Sequence, residues 1–233
     1  MPEQFDQAFW DSLYDARPAL WSGNPNRHLV AEVEALPAGT ALEVGAGEGA
    51  DAIWLAARGW RVTAVDISTV AVARATREAD RAGPDVAGRI EWLHQDVMEW
   101  EPPKDHFDLV SVHFFHLAPA PRRILFGRLA SAVVAGGTLL IVGHSSHVLD
   151  HSTHDGPEHD GKSAMMPLDY FFTGDEIAAE LDPAEWEVIT NADVARPAAD
   201  PPEGPGHSRD IVLSARRRRS RSQTARQSRT GTS

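Results

Sequence analysis

Glu43, Gly45, Gly47 and Gly49 are the residues whose types and spacing point most directly to chemistry. Alternate glycines let backbone come close to a ligand and leave N–H groups free to face it. Gly45-x-Gly47-x-x-Ala50 satisfies the dinucleotide pattern G-x-G-x-x-G/A. Glu43 argues for another ligand, because its carboxylate would stand where a dinucleotide places an anionic pyrophosphate. S-adenosylmethionine carries an ammonium and a sulfonium and no phosphate, so Glu43 and Glu48 favour it. Asp66 lies 21 residues beyond Gly45, near the ~20-residue spacing at which an acid holds ribose hydroxyls. Its plainer reading is a helix N-cap, a role that Ser68 could also fill. Another acid, Asp96, closes the segment Ile90 to Val97.

Histidines supply the remaining candidates. His113 and His116 follow an apolar run, and an imidazole with an ordinary pKa near ~6.5 could take a proton from an acceptor hydroxyl, thiol or amine. Each could equally be a structural histidine. Residues 144–163 hold His144, His147, His151, His154 and His159 among Asp150, Asp155, Glu158 and Asp160. Imidazole mixed with carboxylate suits a divalent metal, but Asp155-Gly156-Pro157 breaks any regular helix there. The stretch reads as a polar loop, and no metal is expected.

These residues need a scaffold, and the apolar pattern supplies one. Ala41 to Val44 is a short buried strand that runs into the glycine turn, and Ala50 to Arg58 is the helix after it. Arg61 to Val65 ends at Asp66 as a second strand. A helix over Thr69 to Ala82 should turn Val70, Val72 and Ala75 inward and Arg74, Arg77 and Arg81 outward, stopping at Gly83-Pro84. His106 to His113 is a fourth strand. A helix from Pro121 to Val134, with Ile124, Leu125, Leu129 and Val133 on one face, ends at Gly136-Gly137. Thr138 to Val142 is a fifth strand. Thr173-x-x-Glu176 is a capping box, and Trp186 to Ile189 and Asp210 to Leu213 are the last strands, paired as an antiparallel hairpin. Strand alternating with helix implies a parallel sheet, with ligands at the carboxyl ends of its strands. Ahead of it, Phe5, Phe9, Trp10, Leu13 and Tyr14 make one apolar helix face, and Asn26 to Leu36 a second helix.

Taken in order, Glu43-x-Gly45-x-Gly47-x-Gly49, Asp66, Gln95-Asp96 and Phe107-Asp108-Leu109-Val110 resemble the motifs of class I S-adenosylmethionine-dependent methyltransferases. The lead-in Trp10…Tyr14…Trp21-x-Gly23-x-Pro25 is similar to that of the small-molecule branch related to the tellurite-resistance and thiopurine methyltransferases. The resemblance spans roughly residues 10–215. It implies a doubly wound α/β fold, a seven-stranded and mostly parallel Rossmann-like sheet with an antiparallel last strand and an added N-terminal helix. It also implies that Glu43, Gly45, Ala46, Gly47 and Gly49 flank the methionine part of the cofactor, with Trp21 and His113 beside it. Asp66 would take the ribose hydroxyls and Asp96 the adenine amino group, with Ile67 and Val97 also binding the cofactor.

Composition narrows the rest. Seven of the 22 basic residues are arginines beyond Ala215, which leaves 15 basic against 34 acidic residues in the body of the chain. So acidic a body argues against a nucleic-acid substrate. One domain is expected over 1–215, with a helical lid over 1–36, a core over 41–215 and a basic, disordered tail over 216–233. The chain has no cysteine, hence no disulfide, thiol catalysis or thiolate metal site. No run is long enough to span a membrane, and no signal-peptide core opens the chain. The simplest compartment is a bacterial-type cytoplasm. The expected activity is transfer of a methyl group to a small-molecule acceptor by in-line displacement. The rivals are an NAD-dependent oxidoreductase, a non-catalytic cofactor-binding protein and a metallohydrolase built on the histidine loop.

Overall fold

The computed structural model describes residues 5–145, 167–196 and 209–219. Seven strands form one sheet: β1 Thr40–Val44, β2 Arg61–Asp66, β3 Ile90–His94, β4 Phe107–His113, β5 Val133–His144, β6 Trp186–Ala195 and β7 Arg209–Arg217. Their order is β3-β2-β1-β4-β5-β7-β6. The first five are parallel neighbours, and β7 runs antiparallel to both β5 and β6. The helices are α1 Gln7–Asp15, α2 Arg27–Val33, α3 Ala50–Ala57, α4 Thr69–Ala82, α5 Pro84–Ala87, α6 Pro119–Ala132 and α7 Gly174–Ala178, and a 3-10 turn covers Leu168–Tyr170.

Side chains alternate across a strand, and the two faces of this sheet separate cleanly. Leu42, Val44, Val110, Val112, Leu139 and Ile141 face Leu125 and Leu129 of α6 and Ile177 of α7. Ala41, Leu109, Leu140 and Val142 face Leu29 of α2 and Ala52 and Leu55 of α3. Burying each of the larger side chains is worth about 1.5–3 kcal/mol. The same alternation puts Glu43, Ser111 and His113 on the α3 side, with Glu43 in register with Ser111. The sheet reverses its winding between β1 and β4, so their carboxyl ends open the crevice where α/β sheets take ligands.

Several sequence expectations are corrected. The buried stripe of α4 is Ala71, Ala75 and Ala79, not Val70 and Val72, which are only half-buried. Small side chains are required there because a Cβ on Gly49 would lie 2.8 Å from the Ala75 Cβ. Arg74 does not face outward but turns onto Glu48. Helix α6 starts at Pro119 and ends at Ala132, and its Ile124 is 55% exposed. Gly136 and Gly137 lie inside β5, which begins at Val133 opposite Phe107. Strand β7 continues to Arg217, past the boundary expected at 215. The capping box at Thr173 and Glu176 is present in both directions. His147, His151, His154 and His159, with the acids among them, lie outside the described residues, as do residues 197–208 and 220–233.

Candidate active site

The glycine turn leaves β1 with left-handed backbone at Gly45, Gly47 and Gly49. At Gly49 this is doubly required: φ is +85° and a Cβ would lie 2.6 Å from Trp92. The N–H groups of Gly45 and Ala46 both donate to the Val65 carbonyl, which ties the turn to β2. Asp66 at the end of β2 is buried and accepts from the N–H of Gly47 and of Ser68, each at 2.8 Å. Ser68 takes the N-cap of α4 through its hydroxyl, so Asp66 is not the cap of that helix. Burial pushes the Asp66 carboxyl up, against the lowering by those two N–H groups.

Beneath the turn lies a compact charged group. The Ser111 hydroxyl donates to Glu43 Oε2. His113 Nδ1 is 2.8 Å from Asp51 Oδ2 and 3.4 Å from Glu43 Oε1. The backbone N–H of Asn26 donates to the other Asp51 oxygen at 2.5 Å. Burial alone would depress the His113 pKa, but the charge of Glu43 and the hydrogen bond to Asp51 push it up to about 10. Burial raises the Glu43 carboxyl, and the neighbouring imidazolium holds it down. His113 therefore carries a proton at neutral pH and is a donor. A protonated imidazole accepts no proton, which suits the structural reading of His113 better than the base. Its Nε2 is buried without a hydrogen-bond partner. Glu43, Asp51 and His113 also bring three metal-ligand atoms within 4.8 Å of one another, but a metal would have to displace the proton that two carboxylates hold on the ring.

The N-terminal segment closes over the turn. Tyr14 is buried, and its hydroxyl accepts from Trp21 Nε1 at 3.0 Å. A Cβ on Gly47 would lie 3.1 Å from that hydroxyl and 3.3 Å from Trp21 Nε1. Burial, followed by the charge of Asp66, raises the Tyr14 pKa, so the phenol stays protonated. Glu48 does not face the turn's interior, as its sequence position suggested. Its Oε2 accepts from the N–H of Leu20 and of Trp21, each at 3.0 Å, and its Oε1 from Arg74 at 2.9 Å. Asp11 on α1 accepts from Ser68 Oγ, Thr69 Oγ1 and the Val70 N–H at the start of α4.

Beyond β4 the chain turns at Phe114, a non-glycine residue with φ of 52°. Such backbone costs of order 1–3 kcal/mol and persists only where packing enforces it. Here Phe115 comes over the glycine turn, 3.2 Å from where a Gly45 Cβ would be. The His116 ring stacks on His144 at 5.1 Å and lies 5.2 Å from Phe171. Its Nε2 accepts from the His144 N–H at 3.4 Å. Next to these rings, Asp210 of β7 is gripped by Arg27 and His28 of α2 at 3.1 Å and by Arg196 at 2.8 Å. Burial would raise the Asp210 carboxyl, but hydrogen bonds from His144, His28 and Arg196 hold it well below the usual range. Farther along the edge, Asp96 accepts from the N–H of Met98 and is half-buried, while Val97 is buried.

Residues 41–137 match the family model described as a methyltransferase domain. Over that stretch the chain is similar to methyltransferase domains. The probable thiol methyltransferase 2 of Arabidopsis thaliana is 33% identical over 137 residues, 56% of this chain and 59% of that protein. An uncharacterised methyltransferase of Mycobacterium tuberculosis is 39% identical over 125 residues, 51% of this chain and 59% of that one. This chain thus spans about half the length of the curated relatives it matches, 59% of each of these two. The N-methyltransferase NodS of Bradyrhizobium japonicum, in complex with S-adenosyl-L-homocysteine, superposes with a TM-score of 0.66 at 17% identity, over 91% of this chain and 97% of NodS. That likeness is one of fold.

Around the glycine turn the structure brings Glu43, Gly45, Ala46, Gly47, Gly49, Asp66 and His113 together, with Trp21 over them. Sequence reasoning missed Asp51 and Ser111 as members of the site. Asp51 read as a charge suited to a helix N-terminus, which it also is. Ser111 carried a signal, since it stands two residues before His113 on the same face of β4.

Proposed function

We propose that this protein transfers a methyl group from S-adenosyl-L-methionine to a small-molecule nucleophile. The observation that carries the proposal is the charged group beneath the glycine turn. Two carboxylates, Glu43 and Asp51, stand against the one imidazole of His113, whose Nδ1 is 3.4 Å from the first and 2.8 Å from the second. Such a site repels a pyrophosphate and favours a sulfonium or ammonium. The cofactor is S-adenosyl-L-methionine, and the donor set fits it: carboxylates for its cationic part and for its ribose hydroxyls, with a glycine turn under a closed lid. When bound, it supplies a methyl group on a sulfonium that leaves readily, so in-line displacement needs positioning more than activation.

The chain's own residues do that positioning. Glu43 and Asp51 set the potential at the end of β1, and His113 fixes both of them. Asp66 offers its carboxylate to the ribose hydroxyls. Tyr14 and Trp21 cover Gly47 and exclude water. Holding acceptor and methyl in line can supply about 7–11 kcal/mol of barrier lowering. Proton removal, where the acceptor needs it, belongs to His116 rather than to His113 in this reading.

Isothermal titration of the protein and of Asp66→Ala with S-adenosylmethionine and with NADH tests this. Saturable binding of S-adenosylmethionine alone is expected, weakened about 5–150-fold in folded Asp66→Ala by the loss of 1–3 kcal/mol of hydrogen bonding. Binding of NADH without S-adenosylmethionine would instead favour the oxidoreductase rival.

A further inference from the structure

One buried cation takes no part in the chemistry described so far. Arg122, in the first turn of α6, is 5% exposed, and its Nε and Nη1 are buried without hydrogen-bond partners. Its Nη2 comes only to 3.7 Å from Glu176 of α7, outside hydrogen-bond range. The guanidinium lies over the Phe172 ring at 4.9 Å. Buried donors in native proteins are paired, and a guanidinium keeps its charge in any environment. The charges of Glu176, Glu180 and Asp169 already act on this guanidinium, but none of them bonds Nε or Nη1, so two donors remain for an acceptor that can reach them.

Its place in the fold says where that partner comes from. Arg122 follows directly on the loop after β4, and Phe172 belongs to the segment after β5. Both loops lie at the carboxyl edge of the sheet. The Phe172 ring is 5.8 Å from the His116 ring, and Phe171 flanks His116 from 5.2 Å. The backbone of α6 offers an anion little, because Pro119 and Pro121 have no N–H and the Arg122 N–H is already bonded to Ala118. The side chain is what remains. Its free donors, Nε and Nη1, lie on different edges of the guanidinium fork. A carboxylate could engage either edge together with Nη2, displacing the loosely held Glu176.

We propose that Arg122 receives a carboxylate on the methyl acceptor, and that the acceptor is a small planar acid held between Arg122 and the rings of His116, Phe171 and Phe172. The assignment rests on the methyltransferase reading and names its substrate class. Arg122 is then a substrate-binding residue, and His116 lies beside the reacting end of the acceptor.

The test uses the full chain saturated with S-adenosylhomocysteine and titrated with benzoate and with benzamide, its neutral isostere. Benzoate should bind about tenfold more tightly than benzamide, the worth of one charge-assisted hydrogen bond. Arg122→Gln should abolish the preference, and Arg122→Lys should keep part of it. Exposed Glu176→Gln, which removes a competing carboxylate and keeps the capping box, should strengthen benzoate binding several-fold. Equal binding of the two probes, or a preference that survives in Arg122→Gln, overturns the proposal. Should Arg122→Gln fail to fold, unchanged benzoate affinity in Glu176→Gln overturns it instead. Failure to bind S-adenosylhomocysteine at all is a different result, because it would sink the methyltransferase reading and this proposal with it.

Discussion

A histidine with Nδ1 at 2.8 Å from one carboxylate and 3.4 Å from another keeps its proton well above neutrality. Unfolded, His113 titrates near ~6.5; folded, it titrates near about 10. A raised pKa of this kind contributes stability that is complete below pH ~6.5 and is lost as pH rises through the folded value. His113→Gln should therefore be less stable than the parent by about 3–5 kcal/mol at pH 6, the penalty for stripping a buried pair of one partner. The gap should narrow steadily toward pH 10 in urea unfolding followed at several pH values. A gap that does not change with pH would mean that the ring titrates alike folded and unfolded, and would restore it as a candidate base. Spacing identified His113 but not its protonation state. That state depends on Asp51, which is distant in sequence and is brought to His113 by the start of α3. Glu43, the glycines and Asp66 were readable because each sits at a fixed offset from a strand end. Arg122 was not, because nothing in the sequence distinguishes a buried arginine from Arg123 beside it, which is exposed.

Elements show the same division between local pattern and docking. The amphipathic face of α1 was plain from Phe5, Phe9, Trp10, Leu13 and Tyr14, but where it docks was not. It lands at the start of α4 because Asp11 accepts from Ser68 Oγ, Thr69 Oγ1 and the Val70 N–H. The alanine stripe of α4 lets the glycine turn pass close, and larger side chains there would hold it off. Arg74, four residues beyond Val70, then reaches Glu48 and also donates to the Tyr14 carbonyl at 2.8 Å. Glu48 thus joins the lid, the glycine turn and α4, with both oxygens occupied. Glu48→Gln removes the charge from three hydrogen bonds and one of the two acceptor oxygens. S-adenosylmethionine should then dissociate about tenfold faster, in line with ~1.4 kcal/mol of lid closure, with the overall fold intact. Stopped-flow displacement reads this directly. An unchanged dissociation rate would mean that the segment 16–25 is a packed surface and not a gate.

At the scale of the molecule, the expected division into an acidic body and a basic tail beginning at 216 is set by composition, and tertiary structure moves it. Glycine pairs and an arginine run look like punctuation in a sequence, yet here both lie within the sheet. Val133 and Val134 continue as strand because Phe107 pairs with Val133, and Gly136, with φ of +92°, leaves room for Arg219. Arg216 sits in register between Thr138 and Glu187. Arg217 donates to Asp105 and to the Val133 carbonyl, and Arg218 to the Glu185 and Trp186 carbonyls. These arginines bind the antiparallel end of the sheet to the loop before β4 and to the turn before β6. Two shortened chains isolate their contribution, one stopped after Ala215 and one after Arg219. The shorter should lose about 2–4 kcal/mol relative to the longer, at roughly 1 kcal/mol for each hydrogen bond removed, measured by urea unfolding. The active site lies at the opposite, carboxyl edge of β1 and β4. S-adenosylmethionine affinity should therefore be the same in both chains wherever both are folded. Equal stability would return the domain boundary to 215. Lost affinity in a folded shorter chain would show that the two ends of the sheet are coupled.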